Sequence, residues 1–452
     1  MKIMIVGAGK VGYKLAEVLS NTENSITIVD NNVQALERVN ENLDVLVYKA
    51  NGVQVDALKN LNVESYDLAI AVTDSDETNI IVSSLSKKLG CNKVIARVRD
   101  PEYAQQRDFI KSVMEIDYII NPELATAKEI IRYLLSSYSF YTENFADGRI
   151  VMVDFNANDL GGFIGKKLKD LKNMDDLLIA AIYRNGSMII PHGESMIIED
   201  DVLYMIGKKE KINQLAKNNK LSIQEKYVRK VMILGGSKIG YYLAEKLSAM
   251  GIFVKIIEQD EERCEYLSDN LNSTLVVCGD CSDINFLEEE DISMMDAVIG
   301  VTGFDEENLL LTLMAKQLGV RKVIAKVSKP SYAKIIEKLG VDVALNPVDI
   351  TASEILKFIR GGRAASVSFL LGGQAEVTEV IADESMGIVG KKIAEMRLPK
   401  GIIIGAIAHK DKVIIPKGDM VIHTGDRFVV FCHSSEMHVL ETIFKVKKGG
   451  SI

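Results

Sequence analysis

Nearly the same ten residues occur twice in this chain, as "IMIVGAGKVG" at 3–12 and as "VMILGGSKIG" at 231–240. The match continues at almost constant spacing, because "ITIVD" at 26–30 reappears as "VKIIE" at 254–258 and "NPELATAKEII" at 121–131 reappears as "NPVDITASEIL" at 346–356. A repeat of this extent covers whole domains, so the chain is expected to fold as duplicated units.

The segments between these repeats are themselves repeated. "GGFIGKKLKDL" at 161–171 resembles "SMGIVGKKIAEM" at 385–396, and "IIPHGES" at 189–195 resembles "IIPKGDM" at 414–420. We therefore predict four modules: A at 1–140, B at 141–222, A′ at 228–360 and B′ at 366–452. The stretches near 141–149, 222–230 and 360–366 are polar or glycine-rich and are predicted to be linkers.

Module A alternates short Val/Ile-rich strands with amphipathic helices. The predicted strands are "KIMIVG", "SITIVD", "VLVYKA", "LAIAVT" and "KVIARV". Uninterrupted apolar strands that alternate with helices are typical of a parallel sheet covered on both faces. The predicted fold class is α/β, with two Rossmann-like, doubly wound parallel-sheet domains, each followed by a small α+β module.

Charge and hydropathy exclude several classes of function. The net charge of -9 argues against nucleic acid as a partner. The longest apolar runs, at 177–183 and 401–408, are too short to span a bilayer, and no signal-peptide pattern is present. We expect a cytoplasmic protein whose membrane association, if any, comes through a partner.

The glycine loop of module A lies directly between a predicted strand and a predicted helix. In the pattern Gly7-x-Gly9-x-x-Gly12, the first glycine makes a tight turn, the second lets the backbone approach a pyrophosphate, and the third allows close packing. Asp30 ends the second strand and can accept hydrogen bonds from a ribose, and no arginine follows it directly, which disfavours NADP. Lys10 can reach a phosphate or remain solvated. The first candidate site is Gly7, Ala8, Gly9, Lys10, Val11, Gly12 and Asp30.

The corresponding loop of module A′ carries a serine where the first loop has its middle glycine. The side chain of Ser237 is expected to intrude where a pyrophosphate would approach, so this site should bind more weakly, and whether it binds at all stays open. The second candidate site is Gly235, Gly236, Ser237, Lys238, Ile239, Gly240 and Glu258.

No catalytic or metal-binding pattern accompanies the two loops. The five histidines, at 192, 409, 423, 433 and 438, all lie in B or B′. Cys278 and Cys281 have CxxC spacing without a second pair, and we interpret them as packed residues with a redox role as the alternative. We predict no catalytic residues and no metal site. The alternative is an NAD-dependent oxidoreductase with B as its substrate domain.

The chain resembles the TrkA family, the cytosolic nucleotide-binding subunits of bacterial and archaeal Trk potassium-uptake systems, which contain two regulator-of-potassium-conductance units in tandem. The residues that carry the resemblance are "IMIVGAGKVGYKLAEVL" from residue 3, "ANG" at 50–52, "VTDSDETN" at 72–79, "ARVRDPEY" at 96–103 and "INP" at 120–122. The resemblance covers essentially the full length in its A–B–A′–B′ order.

The resemblance implies a function and further site residues. Family members bind NAD(H) or ATP/ADP, assemble as rings, here expected to be a homo-oligomeric tetramer, and gate a membrane-embedded potassium-translocating subunit. A regulatory subunit of another monovalent-cation transporter is a further alternative. Glu123 resembles a position where some relatives hold a divalent cation. Arg97 and Arg99 resemble residues that approach phosphates across a subunit contact, with surface strand residues as the alternative. Residues expected to line the nucleotide crevice are Asn51, Thr73, Asp74 and Asp76.

Overall fold

The computed structural model describes residues 1–20, 24–135, 142–171, 174, 176–185, 187–219, 228–329, 339–359, 364–370, 374–410, 412–437 and 439–440. These residues form two compact units. The first unit comprises Met1–Lys128 together with Asn346–Phe358, and the second comprises Glu129–Leu345 together with Ile359–Ile452.

The first unit is built on a six-stranded parallel sheet with strand order 3-2-1-4-5-6. Its central strands are buried along almost their whole length, because helices cover both faces of a parallel sheet. In chain order its elements are β1 (Lys2–Val6), α1 (Lys10–Ser20), β2 (Ser25–Asp30), α2 (Val33–Asn42), β3 (Leu46–Lys49), α3 (Val55–Asn60), β4 (Leu68–Ala71), α4 (Asp76–Lys88), β5 (Lys93–Arg97), α5 (Pro101–Gln105), α6 (Arg107–Val113), β6 (Tyr118–Ile120) and the start of α7 (Pro122–Leu135).

The second unit repeats this sheet in module A′ with the same strand order. Its elements in chain order are β12 (Lys230–Leu234), α9 (Lys238–Ala249), β13 (Phe253–Glu258), α10 (Glu261–Asn270), β14 (Thr274–Cys278), α11 (Ile284–Glu289), β15 (Ala297–Gly300), α12 (Asp305–Gln317), β16 (Lys322–Lys326) and β17 (Val343–Leu345). The helix that follows, α13 (Pro347–Ile359), belongs to the first unit except for Ile359.

Modules B and B′ each contain a five-stranded antiparallel sheet in the second unit. Inward-facing side chains of both sheets form one shared hydrophobic core that includes Phe145 and Phe431. The elements are β7 (Thr142–Phe145), β8 (Ile150–Asn156), β9 (Leu177–Arg184), β10 (Ser187–Ile189), β11 (Val202–Lys208) and α8 (Lys209–Asn218) in B, and β18 (Ala364–Leu370), β19 (Ala375–Ile381), β20 (Ile402–His409), β21 (Lys412–Ile414) and β22 (Arg427–His433) in B′.

The helix that follows each parallel sheet lies partly or almost wholly in the other structural unit. α7 starts in the first unit and ends in the second, where the Nζ atom of Lys322 donates to the carbonyl oxygens of Tyr133 (3.3 Å) and Leu134 (3.0 Å). Burial lowers the pKa of Lys322, and the ammonium group donates to carbonyl oxygens in the last turn of the helix.

α13 makes the converse exchange, because its residues pack in the first unit. The ring of Phe358 stacks on Tyr118 with centroids 4.8 Å apart, and the carboxylate of Asp349 lies 3.7 Å from the Nζ atom of Lys14. Burial raises the pKa of Asp349, and the nearby lysine opposes that effect. Both units are therefore completed by a helix from the other half of the sequence.

The predicted fold class is confirmed in all four modules. The five strands predicted in A are β1 to β5, whereas the three-residue β6 was not predicted. The segment predicted as a linker at 141–149 contains β7, and the last three residues of the one at 360–366 belong to β18. Residues 222–227 and 360–363 of the predicted linkers lie outside the described residues, and the four module boundaries stay a prediction.

Candidate functional site

The loop between β1 and α1 contains two glycines that the protein itself requires and one that it does not. Gly7 has a φ of +114°, and a Cβ atom there would lie 2.9 Å from the backbone of Thr73. A Cβ atom on Gly12 would lie 1.8 Å from the carbonyl oxygen of Gly7. A Cβ atom on Gly9 would meet no described atom within 4 Å. Packing therefore explains the first and third glycines, and the space beside Gly9 is open to a ligand.

Asp30 fastens this loop to the end of β2. Its Oδ2 atom accepts a hydrogen bond from the Ala8 N–H at 2.6 Å, and its Oδ1 atom accepts one from the Asn32 N–H at 2.8 Å. A carboxylate has about four lone-pair positions, so further acceptor capacity remains for hydroxyl groups of a ligand. The aspartate can thus order the loop and also bind a ribose.

The remaining residues of the first loop differ in what they can offer. Lys10 is exposed at the first position of α1, whereas the side chain of Val11 is only 7% exposed and belongs to the core. Ile239 is similarly buried in A′. Val11 and Ile239 can therefore contribute only their backbone N–H groups at the helix N-terminus.

An arginine that the sequence did not single out contacts the loop in each module. In A the guanidinium of Arg38 lies 3.5 Å from the carbonyl oxygen of Ala8 and over the ring of Tyr13. In A′ the Nε atom of Arg263 donates to the carbonyl oxygen of Gly236 at 2.6 Å. The two arginines occupy different positions on α2 and α10, so the repeat pattern does not align them.

The candidate residues on later strands divide into exposed and structural ones. Asn51 and Asp74 are exposed beside the carboxyl ends of the strands. The N–H of Thr73 donates to Asn79 at 2.8 Å, and the buried Asp76 accepts hydrogen bonds from two backbone N–H groups, those of residues 99 and 100, through one carboxylate oxygen. Thr73 and Asp76 thus hold strand ends and helix α4 in place. Asn51 and Asp74 are the exposed pair, although Asn51 Oδ1 also accepts a hydrogen bond from the Val53 N–H at 3.2 Å.

Arg97, Arg99 and Glu123 form a charged cluster beyond β5. The Nε atom of Arg99 donates to Glu123 Oε1 at 2.7 Å, while Glu123 Oε2 and Arg97 Nε are buried and have no hydrogen-bond partner among the described residues. Burial lowers the pKa of Arg97, against the attraction of Glu123. Burial also acts to lower the pKa of Arg99, but the charge and hydrogen bond of Glu123 raise it overall. The carboxylate of Glu123 therefore forms an ion pair with Arg99.

Replacing Glu123 with glutamine is expected to destabilise the protein by about 1–2 kcal/mol, because the Arg99 guanidinium would lose its charged partner. The figure is below that for a fully buried pair, since 34% of the Arg99 side chain is exposed and solvent screens it. Urea unfolding at pH 7 measures this, with the exposed Glu102→Gln as control. Equal losses in the two variants would contradict a stabilising role for the pair.

The second loop has the same glycine-dependent backbone turn as the first, but a serine side chain lies at its middle position. Gly235 has a φ of +105°, and a Cβ on Gly240 would lie 2.4 Å from the carbonyl oxygen of Gly235. The Oγ atom of Ser237 donates to the carbonyl oxygen of Val301 at 2.8 Å and accepts from the Gly240 N–H at 3.3 Å. This serine caps α9. Its hydroxyl accepts a hydrogen bond from an N–H group that could otherwise donate to a phosphate.

Glu258 is held by more backbone groups than its counterpart in the first loop. Its Oε2 atom accepts from the Gly236 N–H at 2.6 Å, and its Oε1 atom accepts from the N–H groups of Gln259 (2.8 Å) and Asp260 (3.0 Å). Side chains thus occupy the hydrogen-bonding groups of the second loop to a greater extent than those of the first.

The two cysteines with CxxC spacing differ in burial, because Cys278 is exposed and Cys281 is buried. Cys281 is buried, and burial raises the pKa of its thiol to about 12. Burial, together with the neighbouring Cys278, raises the pKa of Cys264 to about 12. The thiolate is the reactive form, so the shift favours the interpretation of Cys281 as a packed residue, whereas Cys278 is exposed and is not packed. His438 lies outside the described residues, and the other four histidines lie in the described parts of B and B′.

Comparison with known proteins places the chain among potassium-uptake proteins. A family model described as the TrkA-N domain matches residues 3–122 and 231–347, and one described as the TrkA-C domain matches residues 152–220 and 377–445. Among the described residues, no helix combines the length and apolar composition needed to cross a bilayer.

Curated relatives match over nearly the full length. "Trk system potassium uptake protein TrkA homolog" of Archaeoglobus fulgidus is 37% identical and covers 98% of this chain and 100% of its own. "Trk system potassium uptake protein TrkA" of Vibrio alginolyticus is 34% identical and covers 95% of each chain.

Two solved structures share the fold. "GsuK channel bound to NAD" has a TM-score of 0.58 at 20% identity, over 98% of this chain and 78% of its own. "Crystal Structure of the GsuK RCK domain" has a TM-score of 0.57 at 21% identity, over 98% and 94%. With two TrkA-N and two TrkA-C domains in tandem and full-length relatives above 30% identity, the chain belongs to the TrkA family of Trk system potassium uptake proteins.

Proposed function

We propose that this chain is a nucleotide-binding regulatory subunit that gates a membrane-embedded, Trk-type potassium-translocating subunit. The observation that carries the proposal is the open space beside Gly9 at the N-terminus of α1, where the protein leaves a glycine that its own packing does not require. The names of the relatives support potassium uptake as the process, and a structural neighbour named as bound to NAD supports a nucleotide as the signal.

The bound nucleotide is NAD(H) or ATP/ADP in module A. Backbone N–H groups at the start of α1 would donate hydrogen bonds to the phosphates, aided by the positive end of the helix dipole. Asp30 would accept hydrogen bonds from the ribose. Lys10 and Arg38 are the cations nearest the loop, and Arg97 and Arg99 would read the distal phosphate or contact a neighbouring subunit.

The two modules are proposed to differ in affinity. Ser237 caps α9 in A′, whereas the corresponding position in A is open. A nucleotide in A′ would have to compete with this cap, so occupancy of one nucleotide per chain is expected at moderate concentrations.

Gating is proposed to be a population shift between two states of a homo-oligomeric ring. A nucleotide moves such an equilibrium only by its difference in affinity for the two states. Moving it from about 1:99 to 99:1 takes a factor of ~10⁴, which four sites supply if each prefers one state by roughly tenfold. A tetrameric ring therefore needs only modest discrimination at each site. The ring would lie at the cytoplasmic face of the membrane through its partner.

Replacing Asp30 with alanine is expected to weaken nucleotide binding at least roughly tenfold, because the ribose loses an acceptor and the loop loses its anchor. The matched change Glu258→Ala is expected to have little effect on the measured affinity. Titration calorimetry with each variant compares the two. Equal losses at both positions would contradict the proposed asymmetry.

The first test is titration calorimetry of the full chain with NAD, NADH, ATP and ADP, followed by potassium flux in vesicles that contain a Trk-type membrane subunit. The expected result is one nucleotide per chain and a flux that depends on that nucleotide. NADH absorbance in the presence of added metabolites tests the oxidoreductase alternative, and steady NADH consumption would overturn the regulatory proposal. Nucleotide binding without any effect on potassium flux would favour another monovalent-cation transporter as partner.

A further inference from the structure

Three metal-ligating side chains converge in module B′, far along the sequence from either glycine loop. His409 ends strand β20, Asp426 directly precedes β22, and His423 begins the turn that leads into β22. That turn is closed by the Asp426 N–H, which donates to the His423 carbonyl oxygen at 3.1 Å, and Gly425 supplies its positive φ of +84°. The sheet and the turn thus fix the backbone of all three residues.

The side chains are close enough to share one ion. One ligand atom from each of the three residues lies within 4.8 Å of the other two. His409 Nδ1 is 2.5 Å from Asp426 Oδ1, and His423 Nδ1 is 3.7 Å from Asp426 Oδ2. The aspartate side chain is 3% exposed, whereas 36% of His409 and 62% of His423 remain exposed. The carboxylate therefore forms the floor of the cluster, and the imidazoles face solvent.

The repeat provides an internal comparison. In module B the residues at the same positions are Arg184, Ile198 and Asp201, and the arginine makes two hydrogen bonds of 2.7 Å to the aspartate. The Ile198 N–H donates to Asp201 at 2.9 Å, as the His423 N–H donates to Asp426 at 2.8 Å. The fold therefore needs a buried aspartate and a partner for it, and it does not need two histidines.

We propose that His409, His423 and Asp426 bind a divalent transition-metal ion, with Zn²⁺ as the probe. Two imidazoles and one carboxylate are a common ligand set for zinc, with the open fourth position taken by water. An ion would replace the His409–Asp426 hydrogen bond, because ligands about 2.0–2.1 Å from zinc in a tetrahedral site lie roughly 3.3 Å apart. The exposed imidazoles can rotate to provide that separation, and the aspartate stays anchored by the His423 N–H. Imidazole ligands favour zinc over Mg²⁺ and Ca²⁺, which prefer oxygen.

The test is a zinc titration of the full-length chain, followed by calorimetry and competition with a fluorescent chelator. Wild-type protein is expected to bind one Zn²⁺ per chain. Millimolar Mg²⁺ or Ca²⁺, in roughly 100-fold excess over Zn²⁺, should not compete with it. Zinc should also raise the melting temperature in a concentration-dependent manner. Failure of the wild-type chain to bind zinc at up to about 1 mM would overturn the proposal, whatever the result with nucleotides.

His409→Arg is the decisive variant, because it installs the residue that pairs with the aspartate in module B. It is expected to fold normally and to lose zinc affinity by roughly 100-fold or more. His423→Ala removes a largely exposed ligand and should give the same loss without unfolding. His433→Ala is the control, since this histidine lies outside the cluster, where its Nδ1 contacts Ser435. Unchanged zinc binding in His409→Arg or His423→Ala would overturn the site.

The converse experiment transfers the site. The double change Arg184→His with Ile198→His recreates the ligand set in module B, and we expect the stoichiometry to rise from one to two Zn²⁺ per chain. An unchanged stoichiometry in the folded double variant would contradict the geometric basis of the proposal.

Discussion

Replacing Gly9 with serine is expected to weaken nucleotide binding by roughly 100-fold while leaving the protein folded. A Cβ atom at this position meets no described atom within 4 Å, so adding it carries no packing cost. By analogy with Ser237, the new hydroxyl would cap α1 and use one of the N–H groups that a phosphate needs. A 100-fold weaker affinity corresponds to about 2.7 kcal/mol of binding free energy. The lost hydrogen bond to a charged phosphate and the partial filling of the space beside residue 9 together account for it.

Two readouts separate binding from stability in this experiment. Calorimetry measures the affinity, and thermal unfolding without nucleotide should give an unchanged or slightly higher melting temperature, because an N-cap is stabilising by about 1 kcal/mol. The rise in melting temperature that nucleotide causes in the wild type should largely disappear. The reciprocal change, Ser237→Gly, is expected to leave binding in module A unaltered. A Gly9→Ser protein with wild-type affinity would show that the nucleotide does not bind at this loop.

Replacing Gly12 with alanine is expected to have the largest effect on stability, about 3 kcal/mol or more. The added Cβ would lie 1.8 Å from the carbonyl oxygen of Gly7, which is a backbone atom and cannot rotate away. Either β1 or α1 must shift, and forced shifts in a packed core typically cost about 1–3 kcal/mol, with more where backbone must move. Nucleotide binding should be lost as well, because the same loop carries the site.

A matched series tests the geometric basis of this prediction. The same added atom in Gly240→Ala lies 2.4 Å from the Gly235 oxygen, so its cost should be smaller, and Gly9→Ala should cost almost nothing. Urea unfolding of the three variants should therefore rank Gly12→Ala as most destabilised, then Gly240→Ala, then Gly9→Ala. A different order would mean that the chain relaxes around these loops more readily than the structure indicates.

The sequence predicted the parallel sheets because their strands are continuous apolar runs bounded by turn residues. β6 escaped prediction since three residues, Tyr118–Ile120, are too few to show a period. The prediction of a linker over β7 was wrong because three of the four residues of "TENF" are polar. The exchange of α7 and α13 could not have been predicted, because a helical apolar stripe indicates that a face is buried and not which part of the chain buries it.

The glycines and acids of both candidate loops were predicted from spacing alone, since a strand–loop–helix phosphate site would use residues that are close in sequence. The contributions of Arg38 and Arg263 were missed because they reach the loops from non-equivalent positions. The cluster of His409, His423 and Asp426 was missed for a related reason: His409 ends β20, whereas the other two lie in the turn that precedes β22. Only the register of the sheet brings them together.

The exchanged helices have a consequence for any shortened version of this protein. A chain that ends after residue 222 would keep Lys14 and Tyr118 but would lack Asn346–Phe358, which packs beside them. It could restore that packing only by accepting the equivalent segment from a second copy, as in reciprocal domain swapping. In the tandem chain the exchanged segments are covalently joined, so their packing does not depend on protein concentration. The measured stability and affinity of a half-length truncation would therefore reflect a newly exposed surface or a new oligomer. Point variants in the intact chain avoid this problem.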